Sequence, residues 1–97
     1  MAAPVVGVLI LELHLTESRS LKDKRHYVKG LRDRLRVNFN VSVAEIDDQD
    51  VWTRSVIAVA AVSASRLYAQ GLLEKAESEA AAFLGPFLVS ASIEWIG

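Results

Sequence analysis

The chain has 97 residues, of which 52% are hydrophobic, no cysteine and a formal net charge of −1. This length is typical of one domain with a single core, and the lack of cysteine excludes disulfides and cysteine-ligated metal. The first fifteen residues have no cationic n-region, and Glu12 interrupts their apolar run, so they predict neither a signal peptide nor a membrane span. We therefore expect a soluble protein of the cytoplasm that does not contact a membrane.

The first two predicted elements are a strand and a helix. Residues 5–15 are rich in aliphatic and β-branched side chains, as is typical of a strand. One face of this strand carries Val5, Leu9, Leu11, Leu13 and Leu15. Ser20 suits a helix N-cap, and Asp23 completes a weak capping box and complements the helix dipole. The helix is expected to run to about Asn38, and its apolar stripe consists of Leu21, Val28, Leu31 and Leu35.

Two further strands follow the helix. VSVAEI at residues 41–46 predicts the second strand, DDQDVW a turn, and the aliphatic segment at residues 54–63 the third strand.

A second helix and a fourth strand complete the chain. Ser63 or Ser65 can cap the helix, and Gly85-Pro86 is expected to end it, because glycine tolerates the left-handed position and proline cannot continue a helix. The buried side of this helix is expected to hold Leu72, Leu73, Ala76, Ala80 and Phe83. The last strand, residues 87–96, places on one face Phe87, Val89, Ala91, Ile93 and Trp95.

The order β-α-β-β-α-β predicts an α+β fold of the ferredoxin-like type, with a four-stranded antiparallel sheet and both helices on one face. The first and third strands are nearly continuous aliphatics and belong in the centre. The second and fourth alternate with Ser, Glu and Asp and belong at the edges. We expect one ferredoxin-like domain over residues 1–97.

Four segments of the chain resemble the YlxP-like family of small bacterial proteins: GVLILEL, SLKDKR, FNVSVAEIDDQDVWTR and AVAAVS. They cover roughly the first two thirds of the chain. Asp23 stands where that family more often has Glu. The resemblance implies a ferredoxin-like fold, but the family has no known function. Its genes often neighbour those of translation initiation and ribosome maturation factors, which favours RNA or ribosomes by association alone.

The first helix carries most of the positive charge. Residues 18–36 hold eight basic and two acidic residues, a balance of +6, whereas the rest of the chain balances to −7. Five cations recur at spacings of three and four and form one line of about 21 Å beside the apolar stripe. This basic row consists of Lys22, Arg25, Lys29, Arg32 and Arg36. Lys24 falls off the row, and we expect its stem to cover the core while its amine reaches solvent.

The sheet face opposite the helices is expected to be apolar. The first strand contributes Val6, Val8 and Ile10 to it, and the third strand has aliphatic residues on both faces. Neither strand contains Phe, Tyr or Trp, which excludes base stacking of the RRM type. We expect these three residues to form a homo-oligomer interface, the alternative being a tail or loop folded over the face.

Acidic residues crowd the turn between the second and third strands, at Glu45, Asp47, Asp48 and Asp50. Carboxylates suit Mg²⁺ or Ca²⁺, but the pattern lacks the Gly and the bidentate Glu of an EF-hand loop. We expect local turn capping and no metal site. Trp52, beside this turn, is expected to be an anchor that pins the hairpin to the core or to a partner, with burial in the core first.

The sequence contains no catalytic motif. It has no Gly-rich loop before a helix and no Ser or Cys nucleophile motif. Acylphosphatases share the topology, but TESRS at residues 16–20 replaces their Gly-rich loop after the first strand. We therefore expect no enzyme activity and no cofactor.

The sequence favours a non-catalytic binding protein that contacts RNA or a ribosomal particle through the basic row. Such a row can follow successive phosphates. Three alternatives remain open. The row can be a solvated face, or it can pair with the acidic remainder of the chain or of another copy. It can instead bind an acidic protein surface, as part of an interaction module. A small phosphorylated ligand can also bind near Ser18 and Ser20 at the helix N-terminus.

Overall fold

The computed structural model describes residues 3–97, in which four strands and two long helices follow the predicted order. Met1 and Ala2, which belong to the expected domain, lie outside the described residues. The elements are β1 (Val5–His14), α1 (Leu21–Asn38), β2 (Ser42–Asp47), β3 (Arg54–Ser63), α2 (Arg66–Leu84) and β4 (Leu88–Trp95). Neither helix has the length and apolar character needed to cross a membrane, in the part of the chain from residue 3 onward.

The sheet has the strand order β2-β3-β1-β4, and every neighbouring pair is antiparallel. The aliphatic strands β1 and β3 are central, and β2 and β4 form the edges. This confirms the ferredoxin-like fold. Burial alternates along β1, where Leu9, Leu11 and Leu13 have no exposed surface and the residues between them face away from the helices. The helices contribute to the same core Leu31, Leu35, Leu73, Ala76, Ala80 and Leu84.

Side-chain caps fix the starts of both helices. Ser20 Oγ accepts a hydrogen bond from the amide of Asp23 at 3.1 Å, and Asp23 Oδ2 accepts one from the amide of Arg19 at 3.0 Å. Of the two serines before α2, Ser65 is the cap, because its Oγ accepts from the amide of Tyr68 at 3.1 Å. These bonds satisfy amides that have no partner within the helix.

The predicted face of the last strand is wrong at Val89, because β4 contains a β-bulge. Between Glu12 and Leu13 the register with β4 shifts, so that Leu88 lies opposite Leu13. Val89 is consequently 47% exposed and does not share the buried face of Ala91. The extra residue of a bulge reverses the alternation that precedes it, and no periodic pattern in β4 announces it.

Lys24 departs furthest from the sequence prediction. Its side chain is only 2% exposed, and its Nζ lies 2.9 Å from Glu45 Oε2 instead of reaching solvent. The ammonium also donates to the carbonyl oxygens of Asp48, of Gln49 at 3.2 Å and of Val51 at 2.8 Å. The β2–β3 connection folds over the start of α1, and its carbonyls need a buried donor.

The tip of the β2–β3 connection is less buried than the sequence suggests. Trp52 is 52% exposed, so it does not pin the hairpin to the core, and the alternative, an anchor to a partner, stays a prediction. Asp48 has a φ of +60°, which turns its carbonyl toward the Lys24 ammonium, and the amide of Val51 donates back to that carbonyl at 3.0 Å. The connection is thus held by Lys24 from below and not by the indole.

Replacing Lys24 by Met is expected to lower the free energy of unfolding by about 3–5 kcal/mol, because the change leaves the part-buried carboxylate of Glu45 without its counter-ion. Urea denaturation measures the loss. The matched control is Lys22→Met on the exposed side of the same helix, where a change within about 0.5 kcal/mol is expected. Equal midpoints for the two variants would contradict a structural role for Lys24.

Candidate functional site

The basic row lies on α1 as the spacing predicts. Lys22, Arg25, Lys29 and Arg36 are exposed, and the side chain of Arg32 is 37% exposed. The row runs beside the stripe of α1 that packs on the sheet, so the helix contributes to the core and presents its cations at the same time.

The middle of the row forms one wall of a groove between α1 and the edge strand β2. The groove has a volume of about 310 Å³. Its cationic wall consists of Arg25, Lys29 and Arg32, and its apolar lining of Val28, Val43, Ala44 and Ile57. Glu45 is the acidic residue of the lining. Lys22 and Arg36 are not among the residues that line the groove.

The cations of the row have few acidic neighbours. Among residues 3–97, Asp33 alone brings a carboxylate within 4.0 Å of a row cation, with Oδ2 at 3.7 Å from Lys29 Nζ and Oδ1 at 3.8 Å from Arg32 Nε. Both pairs are long and join side chains that are at least 37% exposed, and such pairs stabilise a protein little. Across the same residues, Arg32 Nε is also the one buried side-chain nitrogen or oxygen without a hydrogen-bond partner. The acidic remainder of the chain therefore does not neutralise the row.

The two basic residues of α1 that lie off the row have structural partners instead. Arg34 Nη1 lies 3.3 Å from Glu79 Oε1 on α2, and its guanidinium lies 4.7 Å from the centre of the Phe83 ring. Lys24 is buried. The fold therefore engages these two cations of α1, while the other five share one outer face.

Glu45 belongs to the groove and not to the acidic turn. Its Oε2 is bound by Lys24 and accepts a hydrogen bond from Ser55 Oγ at 2.6 Å. Both contacts use one oxygen, which leaves Oε1 for another donor. Sequence reasoning counted Glu45 with the turn carboxylates, although the alternation of VSVAEI places it on the same face as the buried Val43. An acidic residue on a buried face needs a buried cation, and that was the available signal.

The outer edge of β2, next to the groove, is partly blocked against pairing with a further strand. The ladder register turns the carbonyls of Val43 and Glu45 away from β3. Arg36 Nη2 donates to the first at 3.3 Å, and Gln49 Nε2 donates to the second at 3.3 Å. Two acceptors that an added strand would need are therefore already in use.

Of the remaining acidic residues of the turn, Asp47 makes a local contact. Its Oδ1 accepts from the amide of the next residue, Asp48, at 2.8 Å, whereas the expected Asx-type capping would reach the amide two residues on. Within residues 3–97, no three His, Asp or Glu side chains gather into a group suited to a metal ion.

The N-terminus of α1 is occupied by the chain itself. Ser20 Oγ and Asp23 cap the helix, as described above. Ser18 is 5% exposed, and its Oγ donates to the carbonyl of Ser20 at 3.2 Å. A phosphorylated ligand at Ser18 and Ser20 would have to displace these contacts and approach the Asp23 carboxylate, so this alternative loses support.

The open sheet face is apolar, as the alternation predicts. Val6, Val8 and Ile10 are half-buried and lie opposite Val62, Ala60 and Ala58 of β3. Val62 is 67% exposed. Polar residues Ser90, Ser92 and Glu94 of β4 flank the strip on one side. Neither helix covers this face.

Comparison with known proteins finds one matching family model, a similar natural sequence and a similar solved structure. Residues 6–92 match the model of a family described as "Protein of unknown function (DUF503)". The chain is 37% identical over 71 residues to the "Uncharacterized protein YlxP" of Bacillus subtilis (strain 168), an alignment covering 73% of this chain and 77% of the relative. A solution NMR structure of a de novo designed protein with a ferredoxin fold aligns with 94% of this chain and 81% of its own, at a TM-score of 0.49 and 14% identity.

The family match includes both helices, β2, β3, nearly all of β1 and the first five residues of β4. The relative from Bacillus subtilis agrees with the YlxP-like resemblance of the segments quoted above. The chain therefore belongs to the DUF503 family, the YlxP-like proteins of unknown function.

Proposed function

We propose that this protein is a non-catalytic, cytoplasmic binding protein that contacts RNA, free or within a ribosomal particle, through the basic row. The observation that carries the proposal is the single carboxylate beside five cations, among residues 3–97. Cations left unneutralised by their own chain are free to release counter-ions on binding phosphates, which is the main electrostatic source of affinity for nucleic acids.

The geometry of α1 also suits a phosphate backbone. Row cations follow one another about every 5 Å along the helix. Arg25 and Arg32 carry planar guanidinium groups that can bind phosphate oxygens in pairs, and Arg36 keeps donors beyond the one it uses on Val43.

An acidic protein surface is the rival partner. An extended acidic peptide would dock beside β2 by strand addition, a common way for sheet edges to bind peptides. The carbonyls of Val43 and Glu45 are occupied by Arg36 and Gln49, and the Glu45 carboxylate in the groove repels acidic side chains. These contacts favour RNA over an acidic peptide.

We also propose that the protein forms homo-oligomers through Val6, Val8 and Ile10. The support is the apolar strip on the open sheet face, which is larger than the isolated exposed side chains usual on a monomer. Burial of that strip against a second copy would remove it from water while leaving the row of α1, on the opposite side of the sheet, free.

Removing the middle of the row is expected to weaken the salt dependence of RNA binding. If all five cations contact phosphates, the logarithm of affinity falls against the logarithm of salt concentration with a slope of about −3 to −5. The triple variant Arg25→Gln, Lys29→Gln and Arg32→Gln should flatten that slope by roughly 2 to 3 units. Fluorescence anisotropy titrations between low and high salt measure it.

The control has the same charge change elsewhere, in the triple variant Arg19→Gln, Arg54→Gln and Lys75→Gln. It is expected to keep the parental slope, and both variants are expected to melt near the parental temperature. A row variant that binds RNA with the parental slope would show that the cations are only solvated. One that unfolds would show that they are structural.

Val8→Asp is expected to dissociate the oligomer, because it places a charge in the centre of the apolar strip. Light scattering coupled to size exclusion measures the mass of the parent and the variant. Val37→Asp, at a position 84% exposed on α1, is the control and should leave the mass unchanged. A parent protein that is a compact monomer at micromolar concentration would refute the proposed interface.

A further inference from the structure

The groove beneath the row has features that a purely phosphate-binding surface does not need. Its volume of about 310 Å³ is at the small end of the range of ligand pockets, roughly 300–1,000 Å³. Val28, Val43 and Ile57 give it an apolar lining, and Glu45 adds a carboxylate. A nucleic acid bound only through its phosphates would need neither the apolar lining nor the carboxylate.

Arg32 brings a guanidinium to the wall of this groove. Its Nε is buried without a hydrogen-bond partner, and the nearest carboxylate oxygen, on Asp33, is 3.8 Å away. The side chain as a whole is 37% exposed, so its terminal nitrogens can bind the phosphate oxygens of a ligand from the solvent side.

Glu45 indicates that the same ligand also carries a donor. Lys24 and Ser55 hold its Oε2, so the carboxylate is oriented before anything binds, and Oε1 is left to accept a further hydrogen bond. A ligand that combines an anionic part, a flat apolar part and an N–H edge matches the cations, the apolar lining and Glu45 in turn.

We propose that the groove holds one unpaired base of a single-stranded RNA segment, and that it prefers guanine. The inference rests on the proposed function. In this arrangement the phosphates lie along Arg25, Lys29 and Arg32, the base packs on Val28 and Val43, and its Watson–Crick edge donates to Glu45. Proteins recognise RNA sequence mainly through such unstacked bases.

Hydrogen-bond chemistry sets the order of preference. Guanine presents two adjacent N–H donors on its Watson–Crick edge, the N1 imino and the N2 amino groups, and both can donate to Oε1, the one carboxylate oxygen left free, which has two lone pairs. Uracil presents one imino group between two carbonyl oxygens, which a carboxylate repels. Adenine and cytosine each offer an amino group beside a ring acceptor and fall between these two.

The test uses the parent protein and labelled nonamers of equal phosphate number. A nonamer of uridines is compared with nonamers whose central residue is guanosine, adenosine or inosine, which lacks the 2-amino group. The guanosine nonamer is expected to bind about tenfold more tightly than uridines alone, as one charge-assisted hydrogen bond allows. Inosine should lose part of this gain, and pairing the guanosine in a duplex should abolish it.

The salt dependence of binding distinguishes the contribution of the base from that of the phosphate backbone. All the nonamers have the same number of phosphates, so their affinities should fall with equal slopes, and the ratio between guanosine and uridine should hold at every salt concentration. A ratio that vanishes with added salt would overturn a base-specific contact.

Val28→Phe provides the matched variant. The larger side chain fills the groove from α1 and leaves all five cations in place, whereas a change at Glu45 would also disturb the buried Lys24. The variant is expected to lose the guanine preference while keeping the salt slope. Guanosine preference that persists in a folded Val28→Phe protein would place the base outside the groove and overturn the inference.

The outcomes distinguish this inference from the proposed function. Equal binding of all nonamers, with a slope that the triple Gln variant flattens, would leave the RNA-binding row standing and overturn the base site. Absence of salt-dependent binding to any nonamer would overturn both. Tighter binding of a nine-residue glutamate peptide than of any RNA would also overturn both, in favour of an acidic protein partner.

Discussion

The rest of this structure depends on the contacts that the Lys24 ammonium makes with the Glu45 carboxylate and with three carbonyl oxygens of the β2–β3 connection. They connect the first turn of α1, the β2–β3 connection and the carboxylate of Glu45 in one place. The loop carbonyls and the carboxylate would each be unfavourable if left alone in a part-buried setting. Bound to one ammonium, they fix the edge strand against the helix, and so fix the width of the groove between them.

That arrangement explains how a single helix can serve the core and an outer surface. The apolar stripe of α1 packs on the sheet, Lys24 reaches under the connection, and Arg34 pairs with Glu79 and the Phe83 ring. The acidic residues best placed to neutralise α1 are thus engaged by cations off the row. The row keeps its charge because its nearest carboxylate, that of Asp33, is shared by two of its members at long distance.

The two faces of the sheet pose separate physical problems. On the helix face, the leucines of β1 are fully removed from water. On the other face, Val8 and Ile10 keep part of their surface exposed beside the alanines of β3. Arg36 and Gln49 donate hydrogen bonds to the outward carbonyls of Val43 and Glu45 on β2. Occupied carbonyls of this kind protect the edge of a sheet against pairing with another strand. Surface available to a partner is thereby concentrated on the row, its groove and the open apolar face.

The amino-acid sequence by itself determined the fold and the position of the row. Alternation placed the leucines of β1, Ser20 and Gly85 marked helix ends, and the three-four spacing aligned the cations, because each of these signals is local and depends on backbone periodicity. Only the tertiary structure decided the burial of Lys24, its pairing with Glu45, the exposure of Trp52 and the bulge that turns Val89 outward. Each of these depends on which distant segment lies opposite a side chain, and the groove between α1 and β2 exists only once two segments separated in sequence are packed together.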